Sequence, residues 1–189
     1  MSSLWSPLAH ALSPYVPGEQ PRIANLVKLN TNESPFGPSP QALAAMRAAA
    51  DDSLRLYPDP EATELRAELA ELHGVAPDQV FVGNGSDEVL AHAFKGLLKQ
   101  SKPLLYPDVT YSFYPVWAQL FGIAAETVPL DESLRVRVED YRRDAGAIII
   151  ANPNAPTGIA LPRAEIVRLL DEHRDIPVVI DEAYVDFGA

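Results

Sequence analysis

The chain of 189 residues lacks cysteine, long apolar runs and any excess of basic side chains. Without cysteine it can form neither a disulfide nor a thiolate metal site, which fits a reducing cytoplasm. No apolar run reaches the roughly 20 residues that a membrane-spanning helix needs. Arg22 is the first basic residue, so a secretory signal is not expected. These absences predict a cytoplasmic protein that makes no contact with a membrane.

The charge balance excludes a further class of partner. The chain has 15 Lys and Arg against 26 Asp and Glu, for a net charge of -11. A nucleic-acid-binding surface requires a basic patch, so we expect no nucleic acid as a partner. The four histidines show no metal-binding spacing, and we predict no metal site. Small anions are not excluded, because helix ends can bind phosphate even in an acidic protein.

Helical patterns alternate with short apolar runs after a proline-rich arm at residues 1–38. We predict helices at residues 40–50, 60–73, 87–98, 112–120 and 162–170, and strands at residues 79–82, 104–106, 123–128, 145–151 and 176–181. The apolar stripe of the second helix is predicted at Leu65, Leu69 and Leu72, and the inward face of the last helix at Ile166, Leu169 and Leu170. The run at 145–151 has three isoleucines at its centre, as in a strand buried on both faces. This alternation predicts an α/β fold, a mainly parallel sheet with helices on both faces.

Two polar loops follow predicted strands. Residues 83–88 (GNGSDE) combine glycines with a helix start, where the amides of Ser86 and Asp87 could bind an anion. Taken alone, the segment is better explained as an ordinary helix start with Ser86 as the cap. Residues 152–158 (NPNAPTG) form a proline-framed loop that could aim an asparagine amide into a cleft, or form a simple Asx turn.

The last predicted strand ends in residues 181–184 (DEAY). Ligands bind at the carboxyl ends of strands in open α/β sheets, so a ligand role for Asp181 is favoured over helix capping or pairing with an arginine. The aromatic residues at 106–117 should be mostly core. Tyr111, at a junction between loop and helix, is the member best placed to stack on a ring.

These motifs, in this order, resemble the large domain of fold type I, pyridoxal-phosphate-dependent aminotransferases. Within that family the chain is most similar to histidinol-phosphate aminotransferases, through residues 12–21 (LSPYVPGEQP), 29–40 (LNTNESPFGPSP) and 56–60 (LYPDP). The resemblance implies an arm at 1–38, a linker helix segment of the small domain at 39–58, and a partial cofactor-binding large domain at 59–189. It also implies a homodimer.

The resemblance implies pyridoxal 5'-phosphate as the cofactor and a role for each residue that matches the family motifs. Asp181 would pair with the protonated ring nitrogen, and Tyr184 would donate a hydrogen bond to the ring's phenolic oxygen. Tyr111 would stack near the ring. The backbone amides of Ser86 and Asp87 would hold the cofactor phosphate.

Other roles implied by the resemblance concern the arm and the partner subunit. Tyr57 would reach the cofactor phosphate in the partner's site, while Tyr15 and Asn32 would lie on the substrate side. Many relatives have asparagine where this chain has Ala155. The contact with the ring oxygen would therefore come from Asn154 or be left to Tyr184 alone.

The implied reaction exchanges an amino group between histidinol phosphate and 2-oxoglutarate, in histidine biosynthesis. The family's cofactor-binding lysine follows the DEAY strand, whereas all four lysines here precede it. We therefore predict no catalytic residue within these 189 residues and expect the chain alone to be inactive. The alternatives are an aromatic-amino-acid aminotransferase, a threonine-phosphate decarboxylase, or a fragment that binds the cofactor or its parent dimer without catalysis.

Overall fold

A computed structural model describes residues 4–12, 18–19 and 21–187. The chain divides into two compact units, one formed by Met1–Leu12 with Gly83–Ala189 and the other by Ser13–Val82. The boundaries predicted at residues 38 and 58 concern the whole protein and stay predictions. None of the helices in the described part of the chain is both long and apolar enough to cross a bilayer.

The larger unit contains a sheet of four parallel strands. These are β1 (Leu104–Pro107), β2 (Ala125–Val128), β3 (Ala147–Ala151) and β4 (Val178–Asp181), in the order β2-β1-β3-β4. Successive parallel strands need crossover connections, and helices supply most of these here. The predicted α/β class with a parallel sheet is confirmed.

Six α-helices are found in the described residues. They are α1 (Pro7–Ala11), α2 (Pro40–Ala48), α3 (Thr63–His73), α4 (Gly85–Ala93), α5 (Phe113–Phe121) and α6 (Arg163–Glu172). A π-helical turn, Phe94–Leu98, continues α4. Short 3-10 turns lie at Asp52–Arg55, Pro77–Gln79, Val138–Tyr141 and Val185–Phe187.

Both faces of β3 are buried, which explains its isoleucine run. Ile149 packs with α4 and α5 on one face, in a cluster that includes Phe94 and Tyr114. Ile148 and Ile150 pack on the other face against Leu169 of α6 and the 3-10 turn at Val138–Tyr141. Alternate side chains of a strand point to opposite faces, so a strand covered by helices on both sides must be apolar throughout. The predicted three-layer arrangement is confirmed.

The structure corrects the predicted start and apolar stripe of α3. The helix begins at Thr63 rather than at Pro60, because the Asp59 carboxylate accepts the backbone N–H groups of Glu61 and Thr63 and closes a turn first. Gly74 ends it as predicted, with φ +66°. The stripe predicted at Leu65, Leu69 and Leu72 is wrong as a buried face, because Leu65 and Leu72 are exposed within the smaller unit.

Three other predictions need correction. Residues 79–82 are not a strand: Val80 closes a 3-10 turn by donating to the carbonyl of Pro77, and the segment is outside the sheet. Residues Pro7–Ala11 of the predicted arm are helical, because Ser6 caps a turn that has Pro7 at its first position. Leu170 of α6 is exposed, whereas its neighbour Leu169 is fully buried.

Candidate active site

A cavity lies at the carboxyl ends of β3 and β4, where the chain leaves the sheet. The space free of protein atoms there is roughly 380 Å³, and part of it is open to solvent. Its lining residues are Ser86, Tyr111, Ala151, Pro153, Ala155, Asp181, Ala183 and Tyr184. Four of the residues predicted for cofactor binding are therefore brought together in one cavity of the larger unit.

Hydrogen bonds fix both the backbone and the carboxylate of Asp181. The Asp181 backbone carbonyl accepts the N–H of Asn152 at 2.8 Å, which continues the pairing of β3 with β4. The Tyr114 hydroxyl donates to Asp181 Oδ2 at 2.8 Å, and the Ala183 N–H donates to Oδ1 at 3.2 Å. A carboxylate offers about four lone-pair positions, so these two bonds leave capacity for a further donor in the cavity.

Tyr114 is a site residue that the sequence did not reveal. Its position in an aromatic helix predicts a core residue, and it is fully buried, but its hydroxyl reaches across 67 positions to Asp181. Burial, and after it the charge of Asp181, raises the pKa of the Tyr114 phenol well above its usual range. Tyr114 therefore stays protonated and acts as the donor. The available signal was a tyrosine, rather than a phenylalanine, at a position expected in the core, because a buried tyrosine hydroxyl usually has a hydrogen-bond partner.

The glycine-rich segment forms the start of α4. Asn84 is the residue before the first helical position, and Gly85 begins the helix with φ +80°. The suggested cap Ser86 is therefore wrong; the backbone N–H of Asn84 instead donates to the carboxylate of Glu88. Ser86 and Asp87 are the second and third helical residues, whose N–H groups have no carbonyl within the helix to bind.

Gly83 permits close packing beside this helix start. A Cβ built there would lie 3.0 Å from Val89 Cγ2 and 3.2 Å from Glu88 Oε2. Both contacts are tight, so a side chain at position 83 would require Val89 and Glu88 to move by a few tenths of an ångström.

Tyr111 joins the loop after β1 to α4. Its hydroxyl donates to Asp87 Oδ1 at 3.0 Å. Its ring lies edge-on to Tyr114, with centroids 5.6 Å apart and planes at 87°, and is stacked with Phe113 at 6.0 Å. These contacts hold the Tyr111 ring at the cavity wall, where the sequence predicted a stacking residue.

The loop after β3 places Ala155, and not Asn154, in the cavity. Asn154 is only 3% exposed. Its Nδ2 donates to the Val109 carbonyl at 2.9 Å and to Thr157 Oγ1 at 3.2 Å, while its Oδ1 accepts the Thr110 hydroxyl at 2.8 Å. The structure thus does not bring Asn154 to the other predicted site residues.

The remaining predicted site residues lie outside this cavity. Tyr57 and Asn32 belong to the smaller unit, where both are exposed. Tyr15 lies outside the described residues. None of the four lysines of the chain lines the cavity.

A sequence model of the family "Aminotransferase class I and II" matches residues 24–189. The chain belongs to this family. The chain is also 65% identical over 188 residues to "Histidinol-phosphate aminotransferase 2" of Rhizobium meliloti (strain 1021), which covers 100% of this chain and 54% of that protein. The chain thus spans about half the length of the curated relatives it matches.

Solved structures of similar proteins have the same fold. A histidinol-phosphate aminotransferase from Sinorhizobium meliloti, in complex with pyridoxal-5'-phosphate, gives a TM-score of 0.83 at 28% identity, covering 98% of this chain and 52% of that one. An L-threonine-O-3-phosphate decarboxylase from Porphyromonas gingivalis gives a TM-score of 0.62 at 27% identity, covering 78% of this chain and 44% of that one.

Proposed function

We propose that the protein containing this chain is a pyridoxal-phosphate-dependent aminotransferase that exchanges an amino group between histidinol phosphate and 2-oxoglutarate, in histidine biosynthesis. The observation that carries the proposal is the cavity that collects Ser86, Tyr111, Asp181 and Tyr184 at the carboxyl ends of the strands. The substrate assignment is supported by relatives at 59–65% identity that are named histidinol-phosphate aminotransferases.

The residues present fit pyridoxal phosphate. The cavity presents a carboxylate with spare acceptor capacity, an aromatic ring on its wall and a helix N-terminus at one end. These three groups match a protonated ring nitrogen, an aromatic face and a phosphate respectively.

Asp181 holds the proton on the ring nitrogen. When bound, pyridoxal phosphate supplies an electron-withdrawing ring that stabilises negative charge on the α-carbon of the amino substrate. An ionised carboxylate beside that nitrogen favours its protonated form. The bonds from Tyr114 and Ala183 fix the direction of the carboxylate, so it needs little reorganisation to receive the ring.

The other cavity residues bind and orient the cofactor. The amides of Ser86 and Asp87 bind its phosphate at the positive end of the α4 dipole. Tyr111 packs against the ring face, and Tyr184 donates to the phenolic oxygen. Ala155 contributes a methyl group beside the ring, so we assign the contact with that oxygen to Tyr184.

The proposal extends to residues outside the cavity. We infer a cytoplasmic homodimer in which Tyr57 reaches the cofactor phosphate of the partner's site, and Tyr15 and Asn32 lie on the substrate side. Tyr57 is fully exposed in its own unit, as a residue that contacts a partner must be before assembly. The inferred domains are an arm at 1–38, a linker segment at 39–58 and a cofactor-binding portion at 59–189.

A second candidate function is phosphothreonine decarboxylation. It is supported by the likeness to the solved decarboxylase, because the cavity residues are proposed to hold the cofactor and do not distinguish one substrate from the other. Supplying the intact protein with histidinol phosphate and 2-oxoglutarate, or with threonine phosphate, separates the two. Glutamate formation supports the aminotransferase, whereas release of carbon dioxide from threonine phosphate replaces it with the decarboxylase.

Cofactor binding is tested on the 189-residue chain with pyridoxine 5'-phosphate, which has the ring and phosphate but no aldehyde. We expect saturable binding by calorimetry. Asp181→Asn should bind the ligand at least about tenfold more weakly than the unaltered chain, because a charge-assisted hydrogen bond is lost. Asp186→Asn is the matched control, since Asp186 is close in sequence and does not line the cavity. Equal affinity in the two variants would contradict the role of Asp181.

A further inference from the structure

We propose that Asn154 is a positioning residue that joins the loop after β1 to the loop after β3 and thereby fixes Tyr111 at the cofactor ring. We call residues 108–112 the Tyr111 loop and residues 152–159 the Ala155 loop. The inference rests on the proposed function, because it concerns the geometry of that cofactor site.

Asn154 contacts the Tyr111 loop with both ends of its amide. Oδ1 accepts the Thr110 hydroxyl at 2.8 Å, and Nδ2 donates to the Val109 carbonyl at 2.9 Å. Val109 and Thr110 directly precede Tyr111. The Asn154 amide therefore bonds to the backbone of Val109 and the side chain of Thr110, the two residues immediately before Tyr111.

The same side chain is anchored in its own loop. Nδ2 also donates to Thr157 Oγ1 at 3.2 Å, and the backbone of Asn154 bonds with Ile159 at 3.0 Å and with Gly158 at 2.7 Å. Both amide hydrogens are thus engaged within the two loops. At 3% exposure the side chain is shielded from competing water, which makes these bonds worth more than they would be at the surface.

Other hydrogen bonds of the Tyr111 loop lie at its two ends. Asp108 anchors its start, through its N–H to the Val128 carbonyl at 3.0 Å and its Oδ1, which accepts the Leu130 N–H at 3.0 Å. The Tyr111 hydroxyl anchors its end on Asp87 at 3.0 Å. Between these points, Asn154 of the Ala155 loop bonds to Val109 and Thr110. Its loss would let the loop sample several conformations, and cofactor binding would then have to order it.

The first test measures the affinity of the 189-residue chain for pyridoxine 5'-phosphate. We expect Asn154→Ala to weaken binding about three- to tenfold. The variant loses one or two of the hydrogen bonds that order the Tyr111 loop before the ligand binds. Thr110→Val should weaken binding in the same direction, whereas Thr110→Ser keeps the hydroxyl and should bind like the unaltered chain. Unchanged affinity in Asn154→Ala, or a loss in Thr110→Ser equal to that in Thr110→Val, would overturn the proposal.

A double-mutant cycle separates positioning from direct contact. If Asn154 acts through Tyr111, Asn154→Ala should change affinity less than about twofold once Tyr111→Leu has removed the ring. The fold-loss should also be the same for an analogue of the ligand without the phenolic hydroxyl. A loss that persists in the Tyr111→Leu background and disappears with that analogue would instead assign Asn154 a direct bond to the ring oxygen.

Amide hydrogen exchange tests the loop junction without any ligand. In Asn154→Ala we expect faster exchange in a peptide covering residues 108–114, with unchanged exchange in one covering β3. Unchanged exchange in both peptides would refute the junction. If the unaltered chain does not bind pyridoxine 5'-phosphate, the proposed function and the cofactor-positioning role fail for this chain, whereas the exchange result still decides whether Asn154 holds the Tyr111 loop.

Discussion

Replacing tyrosine by phenylalanine at two buried positions should change stability in opposite directions. Tyr114 is 0% exposed and Tyr141 is 1% exposed, so each substitution removes one hydroxyl from a fully packed ring. The Tyr114 hydroxyl donates to Asp181 at 2.8 Å. The Tyr141 hydroxyl is buried and has no hydrogen-bond partner within the described ranges. Burial raises the pKa of both phenols well above the usual range, so both are neutral at pH 7.

The size of each change in the free energy of unfolding depends on whether the removed hydroxyl has a hydrogen-bond partner. Tyr114→Phe removes a bond to a charged group, and should lower the free energy of unfolding by about 1.5–3 kcal/mol. Tyr141→Phe removes a polar group that folding strips of water without replacement, and should raise the free energy of unfolding by about 1 kcal/mol or leave it unchanged.

Urea unfolding of the 189-residue chain at pH 7, followed by circular dichroism, measures both effects. With a slope of about 2 kcal/mol per M, Tyr114→Phe should lower the unfolding midpoint by roughly 1 M, and Tyr141→Phe should raise it by up to about 0.5 M. Unchanged slopes are required for this comparison. Similar losses in the two variants would refute the reasoning, because ring packing and not the hydrogen bond would then decide stability.

Two further predictions concern packing and charge. Gly146→Ala should lower the free energy of unfolding by about 1–3 kcal/mol, because its Cβ would lie 2.5 Å from the carbonyl oxygen of Lys102. In the control Gly96→Ala the added Cβ meets no atom within 4 Å, and the free energy of unfolding should rise by up to about 1 kcal/mol. Equal shifts of the melting temperature in the two variants would contradict the clash. The hydrogen bond from Arg142 lowers the pKa of Glu172, which adds stability that is present above the usual glutamate pKa of about 4.3 and is lost as the pH falls through the folded-state value. Unfolding titrations between pH 6 and pH 3 should therefore show a smaller loss in Glu172→Gln than in the unaltered chain, and parallel curves would refute the pairing.

The sequence by itself determined the class of the fold and the elements around the cavity. The run at 145–151 predicted a strand buried on both faces, and β3 is one. The glycine-rich segment before Ser86 and the polar end at Asp181 were also legible, because such segments depend on local backbone chemistry and strand position. The burial of Ile149 follows from the same apolar run, whereas the strand order β2-β1-β3-β4 was given only by the tertiary structure.

Other features depend on contacts between distant residues, so only the tertiary structure decided them. Tyr114 is typical of a core helix in the sequence, yet its hydroxyl binds Asp181. The sequence left the contact with the ring oxygen to Asn154 or to Tyr184 alone, and in the structure the Asn154 amide is engaged by Val109 and Thr110. The periodicity of a segment indicates which face is buried, but not which polar group lies opposite a given side chain. That choice is made when strands and loops that are far apart in sequence pack together, since each buried polar atom must then find a partner.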